Sequence, residues 1–245
     1  MSLMKRMLGA AMFAMVSAGA AQAAVITFEG LDGPAFNRQA FNEAGYNVAF
    51  IDPGATAPPN TVLIGRFIDG SNPATCAPSI CPTDNPTTYL DLFNTGFVDI
   101  TANTPGATFR FSSLDASLLG MLAGDDVLFP AALQVFGFRS SDDDDPLVIQ
   151  FNIPNALDFQ TFNVLDADNG AAFAQTDFVE IAIAGFACNA VGQCFGLDGT
   201  PGEIGLDNIV LSDLPPPVNQ VPEPATLSLL AFGLMGLGAR MRRRG

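Results

Sequence analysis

Ala107-Thr108-Phe109-Arg110-Phe111 and Val179-Glu180-Ile181-Ala182-Ile183 decide the reading of this chain. In both, every second side chain can face a core while the others face water, the period of a β-strand and not of a helix. Similar short apolar runs recur outward from them, at Val25 to Phe28, Tyr89 to Phe93, Phe97 to Ile100, Leu133 to Phe138, Leu147 to Ile153, Phe159 to Leu165 and Gly205 to Leu211. Clusters of Gly, Pro, Asn and Asp separate them, which is the punctuation of turns. Nine or more short strands with no intervening helices predict an all-β chain folded as an antiparallel β-sandwich. One short helix is predicted over Phe36 to Ala44, with Gly45 as its stop.

Composition agrees with a folded body. The 245 residues are 49% hydrophobic, with mean hydropathy +0.31, 18 Pro and 24 Gly. That is too apolar for disorder and too interrupted for a protein of many membrane spans. Twenty-one Phe against two Tyr and no Trp reads as aromatic core, since sugar-stacking surfaces usually employ rings with a polar edge.

Charge is unevenly placed. The whole chain carries −15, but six of its ten cations are Lys5, Arg6, Arg240, Arg242, Arg243 and Arg244 at the ends. Between Ala24 and Leu214 only Arg38, Arg66, Arg110 and Arg139 remain against 24 acidic residues, a body near −20. Nucleic acid is excluded as a partner, because binding it requires several Lys or Arg to displace phosphate counterions. Such a surface keeps a protein soluble, and cations, Ca²⁺ above all, are its natural counterpart.

The two ends read as export and sorting signals. Residues 1–23 open with Lys5 and Arg6, continue through the apolar run Met7 to Val16 and close on Ala21-Gln22-Ala23, a signal peptide with cleavage expected after Ala23. The body is predicted over 24–214. A Pro-rich linker, 215–220, starts at Pro215-Pro216-Pro217 and disconnects it from the tail, since each proline lacks an N–H and fixes φ. Then come Pro222-Glu223-Pro224, an apolar run from Leu227 to Ala239 and terminal arginines. A helix over Ala225 to Ala239 is only about 22 Å long, thin for a hydrocarbon core of about 30 Å, so transient anchoring with the arginines on the cytoplasmic side is expected.

The order of Pro-Glu-Pro, short hydrophobic helix and arginine cluster over Val221 to Gly245 closely resembles the PEP-CTERM sorting signal of Gram-negative bacteria. The resemblance implies Sec-dependent export, a transient inner-membrane precursor, and processing by an exosortase that recognises Pro222, Glu223 and Pro224. It also implies a destination at the cell surface or in the extracellular matrix, with exopolysaccharide as a candidate partner. An ordinary C-terminal anchor would not need the Pro-Glu-Pro.

Cys76 and Cys81 form one local pair and Cys188 and Cys194 another. In an exported chain with no histidine, disulfides 76–81 and 188–194 are expected over a zinc site. Small loops of this kind remove little unfolded-state entropy, so each bridge should add about 2–3 kcal/mol at most.

Ile26-Thr27-Phe28-Glu29 and Gly205-Leu206-Asp207-Asn208-Ile209 look like the first and last strands of jelly-roll domains of the galactose-binding or carbohydrate-binding type. That resemblance implies a jelly-roll-like sandwich in which Glu29 and Asp207 hold a structural Ca²⁺; the alternative is a surface acid and a turn-forming Asp-Asn. Asp166 to Asp177 mimics an EF-hand count, but with its glycine displaced by one. Asp142-Asp143-Asp144-Asp145 reads as a solvated hairpin loop.

Catalysis has few instruments here. Without histidine, Ser-His-Asp and Cys-His chemistry are excluded, and the body has no lysine. Three readings follow: a non-catalytic structural component of the surface or matrix, which the sorting tail favours; a Ca²⁺-stabilised carbohydrate-binding module; and a carboxylate-only polysaccharide-active enzyme.

Overall fold

The structure, a computed structural model, describes residues 23–52, 54, 56–77, 79–93, 96–121, 131–154, 156–188, 194–196 and 202–213. Most of the signal peptide, the proline linker, and the sorting tail with its membrane helix lie outside these residues. Gln22–Asp213 forms one compact unit. In chain order its strands are β1 (Ala23–Ile26), β2 (Gly33–Phe36), β3 (Ala40–Glu43), β4 (Tyr46–Ile51), β5 (Leu63–Asp69), β6 (Ser79–Ile80), β7 (Thr88–Leu92) and β8 (Phe97–Ala102). They continue with β9 (Phe109–Met121), β10 (Ala131–Phe138), β11 (Leu147–Ile153), β12 (Gln160–Asn163), β13 (Glu180–Cys188), β14 (Cys194–Gly196) and β15 (Gly202–Asp213). One short helix, α1 (Gly170–Ala174), and 3₁₀ turns at Pro73–Cys76 and Val164–Asp166 complete the described elements.

These strands form two antiparallel sheets. An eight-stranded sheet runs β12-β9-β15-β7-β5-β2, with β1 on β15 and β6 on β9. A seven-stranded sheet runs β11-β10-β13-β8-β4-β3, with β14 on β13. Alternation does what the sequence predicts: Tyr46, Val48 and Phe50 of β4, Val98 and Ile100 of β8, and Ile181 and Ile183 of β13 face inward. They join Leu114, Ala116 and Leu118 of β9 and Leu90 and Leu92 of β7 in a single core between the sheets. Each fully buried Leu, Ile or Phe contributes ~1.5–3 kcal/mol, which is what ties the layers.

The last strand keeps its parity through a bulge. Ile204 and Leu206 point into the core, and so do Ile209 and Leu211. The register to β9 shifts between Asp207 and Val210, and Asn208 has φ +46°. Asp207 lies on the opposite face by alternation, and one extra residue inserted after it brings Ile209 rather than Asn208 back to the core.

Phe36 to Ala44 is not a helix. Phe36 ends β2, Arg38 turns the chain at φ +64°, and Ala40–Glu43 is the strand β3. Ala44 and Gly45, with φ +52° and +92°, then close a two-residue hairpin in which Glu43 pairs with Tyr46. Both central residues at positive φ make the turn whose twist matches paired strands, so Gly45 ends a hairpin and not a helix. Tertiary hydrogen bonds fix the path: Asn37 N–H donates to the Val62 carbonyl, Arg38 N–H to that of Phe50, and Asp52 N–H to Asn37 Oδ1.

Candidate functional site

The two outer faces of the sandwich differ. On the eight-stranded sheet, residues that alternate away from the core include Arg66, Ile68, Tyr89, Asp91, Ser117, Leu119, Glu203 and Asp207. Segment 70–87 lies over them. Ile68, Tyr89 and Leu119 pack with Cys76, Cys81 and Phe159 into a second small cluster. The Cys76–Cys81 disulfide is formed, as the spacing predicts, and the Tyr89 hydroxyl donates to Cys81 Sγ at 2.8 Å. Arg66 holds the segment down: Nε donates to Asp91 Oδ2 at 2.8 Å, Nη1 to the Ala77 carbonyl, and Nη2 to the Cys76 carbonyl and Ser79 Oγ. Ser79 Oγ in turn donates to Glu203 Oε2 at 2.5 Å. Burial and the nearby Glu203 charge push the Asp91 carboxyl well up, against the pull of Arg66. Asp91 is fully buried, with Oδ2 on Arg66 and Oδ1 without a hydrogen-bond partner among the described residues.

Glu29 and Asp207 both reach this covering segment. Glu29 Oε1 accepts from Thr88 N–H at 3.0 Å, while Asp207 Oδ2 accepts from Asn85 Nδ2 and Thr87 Oγ1, each at 2.8 Å. Asp207 Oδ1 accepts from Asn208 N–H at 2.7 Å. Every contact is an N–H or O–H donor. Calcium requires six to eight oxygen ligands, and no group of three or more acidic or Cys side chains gathers among the described residues. As arranged, these residues make a hydrogen-bonded clasp joining the first and last strands to segment 85–88, and they do not fit a calcium shell. Burial pushes the Asp207 carboxyl up, while its three donors pull it down.

The outer face of the seven-stranded sheet is built differently. Phe97 and Phe136 lie on β8 and β10, two strands apart, with Ala182 and Ala184 of β13 between them. Those alanines are small enough for the two rings to lean together, 6.2 Å between centroids and 22° between planes. Both rings are partly exposed, and Val148, the partner of Phe136 on β11, is 39% exposed. Beside Phe136, Gln134 Nε2 donates to Gln150 Oε1 at 2.9 Å, and Gln150 Nε2 to Asn152 Oδ1 at 3.3 Å. Beside Phe97 stands Asp99, and Glu180 reaches it from β13. Burial, then the Glu180 charge and a hydrogen bond to Glu180, push Asp99 up to about 7. None of the described ion pairs reaches either carboxyl: Arg66 is engaged with Asp91 and Glu203, Arg110 with Asp177, and Arg139 with Asp143.

Sequence reasoning missed this face. It counted Phe97 and Phe136 among the core aromatics and had no means to place Asp99 beside Glu180. Other expectations resolve plainly. Asp142–Asp145 lies in the hairpin loop between β10 and β11, where Asp143 takes the Arg139 guanidinium through both carboxylate oxygens. Asp166 to Asp177 is no EF-hand loop, since it contains α1 and sends Asp177 to Arg110 at 2.7 Å. Ala23 opens β1 opposite Ser212, so a cut after it leaves Ala24, Val25 and Ile26 to carry the strand. Cys188 and Cys194 face each other in the register of β13 and β14, but their side chains lie outside the described residues. Pro222, Glu223 and Pro224 also lie outside them. Among the described residues no helix is long and apolar enough to cross a membrane.

Residues 220–244 match the PEP-CTERM protein-sorting motif. A motif of this kind implies processing by an exosortase and export toward the cell surface. No curated protein matches the chain in sequence. Among solved structures, the body is similar to a DUF4465 family protein from Bacteroides caccae, at 14% identity and TM-score 0.48, covering 79% of this chain and 100% of that one. It is also similar to a family 29 carbohydrate-binding module, at 15% identity and TM-score 0.33, covering 82% and 98%. A variant of such a module complexed with mannohexaose aligns at 13% identity and TM-score 0.36, covering 79% and 92%. These likenesses concern the course of the chain through a β-sandwich and assign no residue a role.

Proposed function

We propose that this chain is an exosortase-sorted protein of the cell surface or extracellular matrix, a non-catalytic structural component associated with exopolysaccharide. The observation that carries the proposal is the sorting motif at 220–244, which matches over all its parts. The chemistry of the body supports the non-catalytic half. Glycoside hydrolysis places its two carboxyls about 5–9.5 Å apart across a cleft, so that a sugar or a water fits between them. Asp99 with Glu180 and Asp91 with Glu203 are instead in hydrogen-bond reach of each other. Segment 70–87 buries the second pair. A cleft of about 340 Å³ beside Arg139, Leu147 and Ala172 holds Arg139 and Asp145 as its charged groups, with Arg139 already bound to Asp143.

The test follows the chain in its own host. In cells with a functional exosortase, replacing Pro222, Glu223 and Pro224 together by alanine is expected to leave an unshortened, membrane-bound precursor, whereas the parent chain appears shortened at the surface or in the matrix. Identical processing and location of the two would overturn the sorting reading. Release of reducing ends from the host's exopolysaccharide by the purified chain would overturn the non-catalytic one.

A further inference from the structure

The open face of the seven-stranded sheet carries more than solubility requires. Its two partly exposed phenyl rings are near-parallel, and between them lie Ala182 and Ala184, both buried. Exposed apolar groups gathered into one strip mark an interaction surface more often than scattered ones do. Polar groups line both sides of this strip, each two residues along its strand from a ring: Gln134 beside Phe136, with Gln150 across from it, and Asp99 beside Phe97, with Glu180 at hand. Amides both donate and accept hydrogen bonds, and carboxyl oxygens accept them from hydroxyls.

We propose that this face binds an uncharged polysaccharide strand, the C–H faces of its sugar rings on Phe97 and Phe136 and its hydroxyls on Asp99, Glu180, Gln134 and Gln150. Charge chooses the occupant. The face holds two carboxyls with no cation paired to them, so a polyuronate is repelled. A lipid or apolar protein surface would leave the amide row and the carboxyls without partners, at a cost for each polar group so buried. A sugar ring has an apolar face and a polar rim together, which matches the strip and its borders. The opposite sheet offers no equivalent, because segment 70–87 already covers it. The inference rests on the surface or matrix reading above and names the ligand class for that location.

The experiment uses the full chain in mild detergent and titrates hexamers of glucose, mannose, galactose and xylose, an oligogalacturonate and a glucosamine hexamer. Saturable binding of at least one neutral hexamer is expected, weakened about tenfold or more by Phe97→Ala and by Phe136→Ala. Gln134→Ala, at a partly exposed position that leaves the core intact, is expected to weaken it severalfold, which keeps the test valid if a phenyl variant misfolds. Failure of all four neutral hexamers, tighter binding of the uronate or the amine, or indifference to all three substitutions would each overturn the proposal. None of these outcomes bears on the tail, so the sorting experiment stands or falls separately.

Discussion

At the scale of single residues, buried acids in this protein are satisfied in two distinct ways. Asp207 sits among donors: three N–H or O–H groups surround a side chain with no exposure. Asp99 and Asp91 instead stand beside a second carboxyl, Asp99 with no ion pair among the described residues and Asp91 with the Arg66 guanidinium on Oδ2. The clasp predicts a stability effect without a metal. Asp207→Ala would strand the buried Asn85 Nδ2, while the exposed Thr87 hydroxyl keeps Asn85 Oδ1 as an acceptor, and should cost about 1–3 kcal/mol, the usual loss for a buried donor left unpaired. Chelation by EDTA should leave the urea midpoint of the parent chain unchanged. A midpoint that falls on chelation in the parent, and no longer responds in Asp207→Ala, would restore calcium to this site. The sequence reading picks Glu29 and Asp207 as calcium ligands, and the structure places each in hydrogen bonds to residues 85–88 or to Asn208. It does not show that the segment offers them donors, because Asn85 and Thr87 lie about 120 residues from Asp207 and no local pattern links them.

At the scale of elements, legibility followed burial. Leu147–Ile153 is recovered end to end because its inward residues sit against the core and its outward ones against water. The runs at Phe97, Leu133 and Phe178 are recovered within a few residues for the same reason. Strands β2 to β5 went unread, since β2 and β3 are short edge elements and Gly65 interrupts the inward side of β5. The hairpin mistaken for a helix stop carries its own prediction. Ala44 holds φ +52°, a left-handed conformation that costs an alanine and suits asparagine, and Asn-Gly is the favoured pair for this turn. Ala44→Asn should therefore stabilise by about 0.5–1 kcal/mol, read as a rise in the urea midpoint with unchanged slope. A lower midpoint would mean that the turn is not of this type. The open sheet face was beyond such reading altogether. Alternation marks Glu180 as an outward side chain, but which outward residues become neighbours depends on the β10-β13-β8 order, and that order is set by pairings as far apart as Phe97 with Ala184.

At the scale of the molecule, a body near −20 with several proton-holding carboxyls should be stabler in mild acid than above neutrality. Asp99 is raised from 3.8 to about 7 on folding, and Asp91 and Asp207 are also raised, each chiefly by burial. Between pH 4 and 7 the folded chain thus binds more protons at Asp99 than the unfolded chain does. Stability from that group is fully present below pH 4 and is lost as pH rises through about 7. Asp143 works in the opposite sense, because Arg139 holds its carboxyl below the usual range, but its contribution disappears only under more acid conditions than these. Self-repulsion of the excess negative charge points the same way as Asp99, since it too weakens on acidification, but salt screens it. The two effects can therefore be separated. Tm should be higher at pH 5 than at pH 8 in low salt, and about 0.5 M NaCl should shrink that difference without removing it, because the partly buried Asp99–Glu180 pair is screened far less than the surface. Asp99→Asn should flatten what remains in salt. A residual pH dependence that survives Asp99→Asn unchanged would assign it to Asp91 or Asp207, whereas a Tm that rises from pH 5 to pH 8 would contradict the raised Asp99 carboxyl.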